Sequence, residues 1–270
     1  MNMQLMLGIS VSCYFISLLL ICLYRDKINV KFFNGVFIVA NLIFFALWTL
    51  AASQRRGGMD DGFMTLENIS PYIFTIIGLL PFMGKRTKEH ALSAIAFLCF
   101  GMFGALFVAP EYDVLFHFKG EANLWHTSEA LCHMLCSLFG MYLMITKQVK
   151  TDFSHWIKSI VFMWGSVTFG VILNLLYDSR CFNMHPDHYK IYMLDIFRSF
   201  EATAVAYYLG ILVVLTVGMQ TGHLLSRLVD KLHGTDRASG AESNSPAPPI
   251  PSLENVQPHD GGYVKTKRKK

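Results

Sequence analysis

Apolar residues along the chain fall into seven segments, which short polar stretches separate. Most of these segments are about 20 residues long, the length that an α-helix needs to cross the hydrocarbon core of a bilayer. The third segment is shorter and has a proline near each end, where a missing backbone N–H is tolerated best. The pattern predicts seven membrane-spanning helices, at approximately residues 4–24, 32–52, 69–83, 91–109, 125–145, 156–177 and 194–215.

The composition supports a multi-pass membrane protein. Of the 270 residues, 53% are apolar and only 16% are charged, whereas soluble domains contain about 25% charged residues. The net charge of +4 lies mainly outside the apolar segments, so we interpret it as a topology signal and expect no nucleic-acid partner. Five of the six cysteines lie within apolar segments, and this distribution does not indicate a disulfide framework.

The distribution of Lys and Arg between the loops predicts the orientation of the bundle. Seventeen of the 23 Lys and Arg residues lie on the side that holds the C-terminus. The positive-inside rule then places the N-terminus outside and the C-terminus in the cytoplasm. Residues 1–233 form the predicted seven-span domain, and residues 234–270 form a Pro/Ser-rich tail that is too polar to bury a core. Its basic end, KTKRKK, could contact anionic lipid headgroups.

The fifth segment carries a polar face in its first two turns. His126, Glu129 and His133 are three and four residues apart, so they lie on one side of a helix. Ionisable groups within a membrane are costly unless they face protein or a water-filled cavity. We therefore expect this face to point into the bundle near its extracytoplasmic end. Other segments bring further polar residues to the same predicted depth, namely Asn68, Ser70, Asn174, Asp178 and Glu201.

Small and polar residues at four-residue spacing predict where two of the helices pack against their neighbours. Such a stripe lets helix backbones approach closely because no bulky side chain separates them. The stripes are Ser166, Gly170, Asn174 and Asp178 in the sixth segment, and Ala202, Ala206 and Gly210 in the seventh.

The polar layer allows several interpretations. It could be a buried hydrogen-bond and ion-pair network that only holds the bundle together. His126, Glu129 and His133 could hold a metal, but the HExxH motif is absent, and we predict neither a metal nor another cofactor. The same groups could relay protons or ions in a transporter, although the sequence shows no inverted repeat. Finally, Ser70 could be a nucleophile that His133 activates.

Four short motifs lie in a run of residues that covers somewhat under half of the chain. They are NISPYIFTIIGLLP, FGMFGALFVAPE, HMLCSLFGMY and ILNLLYDSRCFNMHP, between residue 68 and about residue 184. In these motifs the chain resembles the YwaF-like integral membrane family, which is related to animal transmembrane protein 164. The resemblance implies a seven-helix bundle and, from the animal relative, acyl transfer between phospholipids by a cysteine nucleophile with a histidine partner. His133 matches that histidine, and Ser70 stands at the position of the cysteine.

We therefore predict an all-α, seven-helix membrane bundle with a polar cavity that opens to the outer leaflet. The favoured function is a lipid-active acyltransferase or lipid ester hydrolase, with His133 as general base, Ser70 as nucleophile and Glu129 orienting the imidazole. Membrane lipids are the expected partners. The predicted substrate-binding residues are His126, Asn68, Asn174, Asp178 and Glu201, and of these Asn68 and Asn174 are the expected hydrogen-bond donors to an oxyanion.

The alternative is a small-solute or ion transporter, or a non-enzymatic binding or assembly protein. An enzyme requires Ser70 Oγ and a ring nitrogen of His133 within hydrogen-bond reach, or one water apart. A transporter requires a continuous polar path into the cytoplasmic half of the bundle. The sequence does not decide whether the chain is an enzyme or in which oligomeric state it exists.

Overall fold

The chain is described here by a computed structural model, which defines residues 3–56, 68–108, 124–179, 181–185 and 199–234. These residues are almost entirely helical and contain no β-strand. Each of the seven apolar segments contains one α-helix, so the all-α prediction is confirmed. The helices are α1 (Met3–Leu23), α2 (Val30–Arg56), α3 (Ile69–Leu79), α4 (Lys85–Val108), α5 (Leu124–Ile145), α6 (Phe153–Tyr177) and α7 (Phe200–Leu232).

Five of these helices, α1, α2, α5, α6 and α7, are long and apolar enough to cross a membrane. The described part of the chain therefore has the helices of a membrane-embedded protein. Helix α3 is shorter and continues into a 3-10 turn, Leu80–Phe82, which contains Pro81. A full count of seven spans and the orientation of the termini stay predictions. The tail beyond Gly234 lies outside the described residues.

Helix α7 differs most from its predicted bounds. It begins at Phe200 and continues to Leu232, whereas the apolar pattern placed it at 194–215. A Ser199 cap, whose hydroxyl accepts a hydrogen bond from the Ala202 N–H at 3.2 Å, fixes the first turn. Beyond residue 215 apolar residues are interspersed with polar ones. The apolar pattern therefore did not include this stretch, although the helix continues through it as an amphipathic helix.

Helix α5 lies at the centre of the bundle. In its membrane-length window 78% of the residues are buried, against 11–28% in the other four spanning helices. It packs against α1, α2, α3, α4 and α7. Glu129 and His133, on the polar face of this helix, are half-buried and buried respectively. They therefore point into the bundle, as ionisable residues within a membrane require.

Glycines set the closest approaches between helices, but not at every predicted position. A Cβ added to Gly218 of α7 would lie 1.8 Å from the carbonyl oxygen of Phe97 on α4. A Cβ added to Gly140 of α5 would lie 2.7 Å from the carbonyl oxygen of Ile95, also on α4. Gly210, by contrast, faces open space, so the predicted seam on α7 is wrong at this glycine, and the close approach lies two turns further along, at Gly218.

Candidate functional site

Ser70 and His133 are in direct contact between α3 and α5. Helix α3 begins at Ile69 after Asn68, whose backbone is extended, so Ser70 lies in the first helical turn. The distance from His133 Nε2 to Ser70 Oγ is 2.9 Å. The structure thus brings together the two residues that a serine–histidine pair requires, at hydrogen-bond distance.

The second ring nitrogen of His133 determines where its proton lies. His133 Nδ1 is 2.9 Å from the backbone carbonyl oxygen of Glu129, which can only accept a hydrogen bond. Nδ1 therefore carries the proton of the neutral imidazole, and Nε2 presents a lone pair. The hydroxyl of Ser70 donates to that lone pair. This is the tautomer and the direction of hydrogen bonding that a general base for a serine nucleophile needs.

The environment of the pair is apolar on the histidine side and more open on the serine side. His133 is only 5% exposed, and the ring of Phe74 meets its imidazole edge-to-face at 5.3 Å between centroids. Ser70 is half-buried.

Glu129 acts on the imidazole through its backbone. The sequence predicted that this residue orients the ring, and the contact that does so in the structure is made by the backbone carbonyl, four residues before His133 on α5. Such a contact is set by helix geometry, because residues four apart lie on the same face of a helix, so it holds the ring in one orientation.

Asn174 and Asp178 are engaged in a turn at the end of α6. Asn174 is fully buried; its Nδ2 donates to the carbonyl oxygen of Cys181 at 2.9 Å, and its Oδ1 accepts from the N–H of Cys181 at 2.7 Å. Asp178 ends the helix in the left-handed region (φ 52°) and lies 3.2 Å from His185 Nε2. These contacts give Asn174 a structural role in closing the turn.

The remaining predicted site residues differ in position. Asn68 is exposed immediately before α3, and Glu201 is exposed in the first turn of α7. His126 belongs to α5, but its side chain lies outside the described residues. Among the described residues, no three His, Cys, Asp or Glu side chains come together as metal ligands. A metal bound by His126, Glu129 and His133, one of the interpretations weighed from the sequence, is not tested, because the His126 side chain lies outside the described residues.

The stripe on α6 faces protein at Ser166, Gly170 and Asn174 as predicted, but the side chain of its last member, Asp178, is exposed. Ser166 contacts the hydroxyl of Tyr72 on α3 at 2.5 Å. One turn on, a Cβ added to Gly170 would lie 2.7 Å from the ring of Phe182, in the segment that follows α6. Both contacts brace α3 and the end of α6, on either side of the turn that Asn174 closes.

Two residues that support the pair were overlooked in the sequence. Asn41 on α2 is 1% exposed and donates from Nδ2 to the carbonyl oxygen of Phe74 at 2.8 Å. Tyr14 on α1 contacts Ser137 at 2.9 Å between hydroxyl oxygens, one turn beyond His133 on α5. A lone amide inside an otherwise apolar segment is a signal for such a contact, because buried polar groups in membranes find partners.

Comparisons with protein-family models, with curated proteins and with solved structures found no match for this chain. The resemblance to the YwaF-like family therefore stays an expectation from the motifs. The chemistry of the site has to be argued from its own geometry.

Proposed function

We propose that this protein is a membrane enzyme that acts on lipid esters, as an acyltransferase or a lipid ester hydrolase, with Ser70 as nucleophile and His133 as general base. The observation that carries the proposal is the hydrogen bond from Ser70 Oγ to the unprotonated Nε2 of His133. The backbone carbonyl oxygen of Glu129 holds the imidazole in this tautomer, and nucleophilic attack by a serine depends on it.

The reaction follows from these two side chains. His133 Nε2 takes the proton of Ser70 as Oγ attacks the carbonyl carbon of the lipid ester. The tetrahedral intermediate collapses when the ester C–O bond breaks, and His133 returns the proton to the leaving lysolipid oxygen. Ser70 is left as an acyl ester. A second lysolipid hydroxyl, or water, then attacks this ester with His133 again as base, which gives acyl transfer or hydrolysis respectively.

The first turn of α3 can stabilise the oxyanion. The N–H groups of Ile69 and Ser70 have no acceptor within the helix, and the side chain of Asn68 does not cap them. These donors lie at the positive end of the α3 dipole, beside Ser70 itself. They take the role that we predicted for Asn68 and Asn174; the side chain of Asn174 instead holds the turn after α6.

A serine in place of the family cysteine makes the contact with His133 essential. A thiol ionises readily near neutral pH, whereas a serine hydroxyl does not and needs a base within hydrogen-bond distance as it attacks. His133 supplies that base at 2.9 Å. The predicted seven-span topology would place the pair near the extracytoplasmic face, which gives the outer leaflet as the source of substrate.

The test is lipid mass spectrometry on the purified protein in membranes of mixed phospholipids with distinguishable acyl chains. We expect acyl exchange or lysolipid release by the wild type and its loss in Ser70→Ala. The matched control is Ser93→Ala, which removes a buried hydroxyl that bonds only to the carbonyl oxygen of Glu89 in its own helix. Identical lipid profiles for wild type and Ser70→Ala would reject the enzyme and return attention to transport.

A further inference from the structure

A chain of alternating charges joins the end of α1, the turn after α5 and the end of α7, away from the Ser70–His133 pair. Arg25 contacts Asp230, and its Nε lies 3.1 Å from Asp26 Oδ1. Lys147 Nζ lies 2.9 Å from the same Asp230 carboxylate. We call this set the α1–α7 clasp; its members are Arg25, Asp26, Lys147, Asp230 and His233.

His233 closes the clasp through both of its ring nitrogens. Nδ1 lies 2.7 Å from Oδ2 of Asp26, and Nε2 lies 2.8 Å from the backbone carbonyl oxygen of Cys22. A carboxylate and a carbonyl oxygen both only accept hydrogen bonds, so each ring nitrogen has to donate. A neutral imidazole has a single N–H and can satisfy one of the two partners. Both contacts together require the doubly protonated ring.

Three other histidines of the structure lack this requirement. His133 has one accepting partner and one hydroxyl partner, which the neutral ring satisfies. His223, also on α7, contacts the hydroxyl of Thr151 at 3.3 Å, and a hydroxyl can donate as well as accept. His155 faces two carboxylates, Asp152 at 2.8 Å and Glu89 at 3.8 Å, but the second distance is beyond hydrogen-bond reach. His233 differs from these three histidines because both of its ring nitrogens lie within hydrogen-bond distance of groups that only accept.

We propose that His233 is a proton-dependent link between α1 and α7, complete when the imidazole carries two protons and weakened when it loses one. Asp26 is the charged group that contacts the imidazole. The other charges of the clasp are joined to it in sequence, since Arg25 contacts both Asp26 and Asp230, and Lys147 contacts Asp230. The link has its second contact when the imidazole carries both protons and loses it when one proton leaves, a change that histidine side chains in general undergo near neutral pH.

The carboxyl group of Asp26 remains charged near neutral pH. The hydrogen bond from Arg25 holds the pKa of the Asp26 carboxyl below its ordinary value, and the charges of Arg25 and His233 act in the same direction, against a smaller opposing effect of desolvation. A rise in pH therefore weakens the link because the imidazole loses a proton, while the Asp26 carboxylate stays ionised.

The clasp acts on the helix that borders the candidate site. At its other end, α1 packs through Met6 and Leu7 against Ala130 and Met134, which flank His133 on α5. Its far end is held by the clasp, just beyond the end of α7 at Leu232. Protonation of His233 would thus fix the end of α1 against the end of α7.

The test compares the thermal unfolding of the full-length protein in lipid nanodiscs at pH 5.5 and pH 8.5. We expect His233→Gln to lower Tm by about 2–4 °C at pH 5.5, the shift that corresponds to one lost contact in a chain of this size, and by less than half of that at pH 8.5. The matched control, His223→Gln, should show an offset that does not change with pH. An equal offset for His233→Gln at both pH values would overturn the proposal.

Two further measurements test the link if His233→Gln does not fold. In Asp26→Asn, which keeps the histidine but removes the carboxylate charge, we expect a smaller change of Tm with pH than in the wild type. In ¹⁵N-histidine spectra of the wild type at pH 5.5, the His233 ring should show protons on both nitrogens. A neutral His233 ring at pH 5.5, or an unchanged pH dependence in Asp26→Asn, would reject the link.

Discussion

Replacing His133 by glutamine separates a general base from a structural hydrogen-bond network. A glutamine side chain can donate to the Glu129 carbonyl oxygen or accept from Ser70, so it can retain one of the two contacts of 2.9 Å that His133 makes. It cannot accept the proton of the serine, because an amide is not a base near neutral pH. The two interpretations of the site therefore predict opposite results for this one variant.

The magnitudes follow from the buried position of the ring. Loss of one hydrogen bond at a residue that is 5% exposed should cost about 1 kcal/mol of unfolding free energy. His133→Ala removes both contacts and leaves a cavity beside Phe74, at a cost of about 2–5 kcal/mol. Loss of the general base should reduce turnover about 10²–10⁴-fold in either variant, which corresponds to about 3–5 kcal/mol of transition-state stabilisation.

The assay measures acyl exchange per folded molecule, with the folded fraction taken from the same preparation by thermal unfolding in nanodiscs. The matched control is Ser93→Ala, which changes a buried polar side chain of α4 away from the pair. We expect His133→Gln to be nearly as stable as the wild type and almost inactive. A general base should account for a loss of at least about 100-fold. If His133→Gln retained more than about a tenth of wild-type turnover, the loss would be too small for a general base, and His133 would be a structural residue only.

Two further predictions concern the nucleophile and the bundle. Ser70→Cys should retain acyl transfer and gain reactivity towards thiol reagents, because His133 Nε2 stays within reach of a more acidic group; turnover no higher than that of Ser70→Ala would contradict this. Gly218→Ala should lower Tm by several degrees, since its Cβ would lie 1.8 Å from the Phe97 carbonyl oxygen. Gly210→Ala on the same helix, where space is open, should change Tm little, and equal losses in both would refute the packing argument.

The sequence predicts where the helices lie better than it predicts which helix faces pack against each other. Apolar runs locate every helix because burial in lipid needs only length and hydrophobicity. They fail at the end of α7, where residues 216–232 form an amphipathic helix that a hydropathy criterion does not detect. The close approach at Gly218 also escapes the pattern, since spacing along one helix does not show which face meets α4.

The site was predictable in part for a similar reason. Depth in the membrane placed Ser70 and His133 in one layer, and the structure brings them into contact. Depth does not show which polar atoms are already used. Asn174 lies in that layer too, yet its amide is occupied by the turn at Cys181, a contact that depends on the left-handed residue ending α6.

The most direct measurement of the central claim is covalent labelling of the wild type with a fluorophosphonate probe, which reacts with activated serines, followed by peptide mass spectrometry. The account predicts a phosphonylated peptide that carries the label on Ser70, with labelling lost in Ser70→Ala and strongly reduced in His133→Gln. Labelling of Ser70 in the wild type no greater than in folded His133→Gln would contradict the account.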